Sequence, residues 1–195
     1  RGDEVWNSSQ VWYMPFDDMD DPVTDEISMW PWREAYYTIN VCNFILSRTT
    51  GDDASLSESM KRIKGQALFL RGYSYYTLAG YYQNPALITD YANYSTLDGL
   101  YGKNSTYDDV LDQVEKDFSE AMTLLPSRDE GGEWAKGRAT CGAAAGYYAR
   151  TLMQRHKYSD ALVVLKDIMN KKYGSYKLMA NYGDNFREGS AYENN

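Results

Sequence analysis

Tyr107, Val110, Leu111, Val114, Phe118, Ala121 and Leu125 recur at intervals of three and four residues, and Pro126 stops the series. That spacing is the period of an α-helix with one apolar face. The preceding "STYDD" supplies the hydroxyl and early acids that cap such a helix. A single amphipathic helix is marginal in water and must lay its stripe on a neighbour. The rest of the chain therefore has to provide further helices.

It does so four more times. Trp32, Tyr36, Ile39, Asn43 and Leu46 keep helical spacing up to a stop at Gly51. A second helix begins near Ser57 and runs to about Tyr82, where "QNP" breaks it. Its segment "KGQALFLRGYSYYTLAGYYQNP" is unusual because Ile63, Ala67, Leu70, Leu78 and Tyr81 mark one face while Phe69, Tyr73, Tyr76 and Gly80 mark another. A helix apolar on two faces is expected to lie between neighbours, with most of its rings in the core. After the loop "SRDEGGEWAKG", a helix from about Arg138 to Gln154 carries the small residues Ala139, Gly142, Ala143, Gly146 and Ala149, which predict a close helix contact. The turn "QRHK" leads into a last helix from Tyr158 to about Lys172, and "YGSYKLMANYGDNF" reads as irregular.

One internal repeat sets the architecture. "DFSEAMTLL" at 117–125 aligns with "KYSDALVVL" at 157–165, so that a ring, two polar residues and an alanine recur. In tetratricopeptide-type hairpins that alanine, here Ala121 and Ala161, lets paired helices nest while the ring fills the groove beside it. The expected fold is all-α, a set of tetratricopeptide-like helical hairpins joined by long irregular loops.

Composition narrows the function classes. A chain of 195 residues with 43% hydrophobic residues is long enough to bury a core. The net charge of −8 repels polyanions, and no basic patch offsets it, so nucleic acid is not an expected partner. Cys42 and Cys141 sit in separate helices, with neither disulfide nor metal spacing, and read as small buried hydrophobes. The lone histidine, His156, lies in a polar turn. Glycosidase chemistry needs two placed carboxylates, one in an apolar setting, and no acid here is marked as such. The run Asp17, Asp18, Asp20, Asp21, Asp25 and Glu26 lacks calcium-loop spacing, and "EGGEWAKGR" is no phosphate loop. Neither a metal nor a cofactor is implied, and an enzyme is the weaker class.

Tyrosine, at 19 residues, is the main compositional excess. A sugar presents an apolar C–H face that stacks on a ring and a rim of hydroxyls that pair with amides and carboxylates. Trp6, Trp12 and Tyr13 lie beside Asn7, Gln10, Asp17 and Asp18, and the loop after Pro85 carries Tyr91, Tyr94 and Tyr101. Two readings of the first group stay open: rings folded back onto the helices as core, or rings facing a ligand. The candidate ligand residues are Trp6, Asn7, Trp12, Tyr13, Asp18, Tyr91 and Tyr94.

The ordered motifs carry a family resemblance. "WREAYYTINVCNFIL", "IKGQALFLRGYSYYTLAGYYQNP", "STYDDVLDQVEKDFSEAMTLLP", "KGRATCGAAAGYYARTLMQRHKYSDALVVLKDIM" and "YKLMANYGDNF" resemble, in order, segments of the SusD/RagB family, glycan-binding lipoproteins of the Bacteroidota outer membrane. Trp32, Tyr36, Asn43, Leu70, Arg71, Tyr75, Arg138 and Ala161 fall in these motifs. Departures are Gln66 where the family often has Glu, Gly72 where it often has Ala, and Asn84 before the proline. The resemblance implies a helical portion of a longer SusD-like fold, with an irregular region at 1–31, a scaffold at 32–186 and a truncated segment at 187–195. It also implies a non-catalytic, lipid-anchored surface protein, its anchor outside this sequence, that passes oligosaccharides to a SusC-like TonB-dependent transporter. A helical-repeat adaptor for peptides and an all-α glycoside hydrolase are the competing classes.

Overall fold

The computed structural model describes residues 26–187. Among them are six α-helices: α1 (Glu26–Arg48), α2 (Glu58–Tyr82), α3 (Leu97–Leu100), α4 (Tyr107–Leu124), α5 (Cys141–Gln154) and α6 (Tyr158–Met169). The long helices pack in chain order, α1 on α2, α2 on α4, α4 on α5 and α5 on α6. This is the all-α stack of tetratricopeptide-like hairpins with irregular loops between them. No named strand occurs among the described residues; one isolated bridge joins Ala86 to Asn104.

Local chemistry places the helix ends. The Ser57 hydroxyl accepts from the Met60 amide to open α2. Thr106 and Asp109 form a reciprocal capping box at α4, and Thr140 caps α5. At the other end of α2, Gln83 takes a left-handed φ of 61°.

Two boundaries differ from expectation. Part of the segment expected to be irregular is helical, since α1 begins at Glu26 and carries Pro31 inside it. Pro31 is the sixth residue of α1 and has no N–H for the carbonyl four residues earlier, so the helix continues past it one backbone hydrogen bond short. The Tyr82 hydroxyl, which donates to the Ser28 carbonyl, ties this first turn to α2. The α5 helix starts at Cys141, three residues later than the Arg138 expected, because Thr140 is extended and acts as the cap.

The core lies where α1, α2 and α4 meet, on Ile39, Tyr75, Leu78, Val110, Leu111, Val114 and Phe118, passes through Leu68, Ala121 and Ala144, and continues through Ala145, Ala149, Leu152 and Ala161 between α5 and α6. Cys42 and Cys141 are both free and buried. The close helix-to-helix contact lies elsewhere than on the expected small face of α5, whose Gly142 is crowded by a loop ring instead. A Cβ on Gly65 of α2 would lie 2.9 Å from the Leu125 side chain, and one on Gly72 would lie 3.1 Å from Asp117 Cβ, so α2 and α4 are the tightly nested pair. On α5 a Gly142 Cβ would clash with the Tyr176 ring, and Gly146 is exposed with nothing within 4 Å of a Cβ among the described residues.

The tyrosines of α2 divide. Tyr75 is fully buried, Phe69, Tyr76 and Tyr82 pack half-buried against the core, but Tyr73 and Tyr81 are exposed. In the repeat, Ala121 and Ala161 are both buried, while only the first ring, Phe118, fills a groove; Tyr158 is exposed beside His156.

Candidate functional site

Three helices contribute one polar group each to the buried centre. Arg71 of α2 makes a bidentate pair with Asp117 of α4, Nε to Oδ2 at 2.9 Å and Nη2 to Oδ1 at 2.7 Å. Its Nη1 donates to Asn43 Oδ1 of α1 at 2.8 Å and to the Thr89 carbonyl at 3.3 Å. The Gln113 amide donates a further bond to Asp117 at 2.7 Å. Burial pushes the Asp117 carboxyl up, opposed by the Arg71 guanidinium and the Gln113 amide. A charge in this position is tolerable only because its partners are fixed and its lone pairs are filled.

The same groups hold one stretch of loop. The Asn43 amide donates to the Ile88 carbonyl at 2.7 Å, and the Tyr36 hydroxyl donates to the Ala86 carbonyl at 2.7 Å. The Tyr75 hydroxyl donates to the Ile88 carbonyl and accepts from the Ile88 amide, both at 2.8 Å. The far end of the loop is closed at Ser105, whose N–H donates to the Pro85 carbonyl at 3.1 Å. Residues 86–89 thus make backbone hydrogen bonds to side chains in place of a strand partner. Burial pushes the Tyr36 phenol up to about 12 and the Tyr75 phenol higher still, so both stay neutral donors.

What this clamp carries forward is a pair of rings. Asp90 accepts from the Ala92 amide at 2.9 Å and opens the 3-10 turn Tyr91–Ser95. The short helix α3 packs on that turn so closely that a Cβ on Gly99 would fall 2.2 Å from the Asn93 carbonyl oxygen. Tyr91, 38% exposed, meets the ring of Phe44, 42% exposed, edge to face at 5.2 Å, and tilts against Tyr94 at 5.8 Å. The Arg48 guanidinium lies over the Phe44 ring at 5.3 Å. Among the described residues the buried Tyr94 hydroxyl has no hydrogen-bond partner. Rings with one free face, mounted on a rigid base, can stack against a flat apolar ligand surface.

Of the ligand residues read from sequence, Tyr91 and Tyr94 come together here. Trp6, Asn7, Trp12, Tyr13 and Asp18 lie outside the described residues, as does the acidic run up to Asp25. Among the motif residues, Tyr36, Asn43, Arg71 and Tyr75 all belong to the clamp, and Trp32 packs on Tyr36 and Tyr82 at 4.9 and 5.0 Å. Leu70 is 45% exposed and lines a groove with Tyr37, Val41 and Ile45 of α1. Arg138 is exposed and pairs with Glu133 at 2.7 Å and Gln66 at 3.0 Å. Sequence reasoning missed Phe44, Arg48 and Asp117. Asp117 was legible as an acid on the apolar register of α4, three residues after Val114 and four before Ala121. Its burial corrects the expectation that no acid sits in an apolar setting.

The remaining chemistry is sparse. His156 is exposed, its Nδ1 2.7 Å from the Tyr158 hydroxyl. Among the described residues no group of histidine, cysteine and carboxylate side chains is placed to hold a metal. No helix among them is long and apolar enough to cross a membrane. A second set of rings, Tyr73, Tyr76 and Tyr147, lies between α2 and α5, with the Arg150 guanidinium 5.7 Å over Tyr76.

A family model described as "SusD-like, starch-binding associating with outer membrane" matches residues 2–153. Solved structures share the fold. A SusD-like carbohydrate binding protein from Bacteroides fragilis matches with TM-score 0.73 and 25% identity over 85% of this chain and 31% of its own. A SusD superfamily protein from Bacteroides vulgatus gives 0.81 and 21% over 97% and 39%. Surface glycan-binding protein A from Bacteroides thetaiotaomicron, solved in complex with laminarihexaose, gives 0.73 and 20% over 95% and 37%. The chain thus spans 31% to 39% of the length of these relatives. No curated protein matches it.

Proposed function

Because this chain belongs to the SusD-like family, we propose that it forms the helical scaffold of a non-catalytic outer-membrane protein that captures oligosaccharides and passes them to a SusC-like TonB-dependent transporter, with a lipid anchor outside these residues. The family match supports the glycan class and the membrane association. The laminarihexaose bound to the Bacteroides thetaiotaomicron protein supports an oligosaccharide as ligand. The proposed domain layout, a scaffold over 32–186, is extended at its start to include the helical residues from Glu26.

The observation that carries the reading is the exposed Tyr91 ring on a turn whose base is clamped by buried polar side chains. Loops are ordinarily mobile, and four separate side chains on α1 and α2 hold this one still. Rigid mounting of an exposed ring lowers the ordering cost of stacking a ligand on it. Trp6, Asn7, Trp12, Tyr13 and Asp18 are proposed as a second set of contacts. The peptide-adaptor reading is favoured by a different observation, the exposed Tyr73 with Tyr147 and Arg150 in the groove between α2 and α5. Binding assays on the full-length protein separate the classes. Saturable affinity for a glycan without new reducing ends supports capture, affinity for peptides alone supports the adaptor, and product formation supports a hydrolase.

A further inference from the structure

Arg48 sits at the edge of the ring pair and makes no ion pair among the described residues. Four arginines of the scaffold are matched, Arg62 with Glu130, Arg71 with Asp117, Arg138 with Glu133 and Arg155 with Glu115, while Arg128 and Arg150 lie over the rings of Tyr176 and Tyr76 as Arg48 lies over Phe44. The Arg48 Cζ is 5.3 Å from the Phe44 ring centroid, while Tyr91 approaches the same ring at 5.2 Å. A stacked guanidinium uses its face and leaves the in-plane N–H fork free. That fork matches a planar carboxylate in a two-bond contact.

Resting on the reading of Tyr91 as a sugar platform, we infer that this site selects glycans bearing a uronic-acid carboxylate. Tyr91 stacks on a pyranose face, and Arg48 receives the carboxylate of the same or an adjacent residue. Phe44 is the positioning residue: it spaces the two groups and orients the guanidinium by stacking. The overall charge of −8 opposes a dense polyanion. The ligand class is therefore a mostly neutral oligosaccharide with sparse carboxylates, recognised by one local cation.

The test is calorimetric titration of the full-length protein with aldouronic oligosaccharides from glucuronoxylan, each beside its carboxyl-reduced form. The reduced form keeps the ring and hydroxyls and loses only the charge. The expected result is tighter binding of an acidic member, lowered about tenfold in Arg48→Ala and less in Arg48→Lys, with affinity for the reduced form unchanged in both variants. Arg48 is exposed and makes only a ring contact, so these variants retain the fold. Equal binding of acid and reduced forms, indifference to Arg48→Ala, or no binding of any acidic member overturns the inference. Failure of the underlying platform reading looks different: Tyr91→Ala would then leave affinity for every bound glycan unchanged.

Discussion

The guanidinium of Arg71 and the carboxylate of Asp117 face each other across the α2–α4 contact in a two-bond pair, with both side chains buried. Removing either partner strands a charge without water. Arg71→Ala and Asp117→Ala are each expected to lower stability by about 3–5 kcal/mol, and the double variant by less than the two losses together. Chemical denaturation of the four proteins measures this. Additive losses would show that the pair is not coupled.

Tyr75 both donates to and accepts from Ile88. Tyr75→Phe keeps the ring in its core position and costs about 1–3 kcal/mol, because the buried Ile88 amide is left without its partner while the Ile88 carbonyl still accepts from Asn43. Amide hydrogen exchange at Ile88 should accelerate more than exchange in the middle of α4. Unchanged protection at Ile88 would remove Tyr75 from the clamp.

Gly65 touches Leu124 and Leu125 of the neighbouring chain segment, whereas Gly146 faces open space. Gly65→Leu is expected to overpack the α2–α4 contact and lower stability by about 1–3 kcal/mol. Gly146→Leu should not destabilise and should add up to about 1 kcal/mol, because its Cβ meets nothing among the described residues and leucine is the better helix former. Thermal melts of both variants check the contrast.

Buried groups that hold their protons more tightly set the alkaline behaviour. Burial lifts Cys42 from its ordinary 9.0 to about 11 and Tyr36 from 10.0 to about 12. Between these limits the unfolded chain loses protons that the folded chain keeps, so the unfolded state gains as pH rises. The stabilisation is complete below pH 9.0 and is lost as the pH climbs toward about 12. Melting temperature should fall across that window, and less steeply in Cys42→Ala. A flat profile from pH 9 to 12 would contradict the burial of both groups.

Much of the fold was legible because its signals are local. Ser57 and Thr106 announce helix starts, Pro126 a stop, and the stripe from Val110 to Ala121 a buried face. Glycine and alanine patterns were harder to use, since smallness alone does not say what lies opposite: Gly65 and Gly72 meet α4, and Gly146 meets nothing. The site was less legible than the scaffold. Tyr91 and Tyr94 announced themselves as rings in a loop, but Phe44 and Arg48 sit in the helical pattern of α1 and gain meaning only when residue 91 folds back on them. The clamp depends on contacts 13 to 50 residues apart, which no local period encodes.

Calorimetric titration of Tyr91→Ala in the full-length protein, with the glycan that wild type binds best, tests the central claim most directly. The account predicts about a tenfold loss of affinity, roughly 1.4 kcal/mol, with an unchanged melting temperature, while the distant exposed Tyr158→Ala has no effect on either. Wild-type affinity in Tyr91→Ala would contradict it and move the sugar away from this turn.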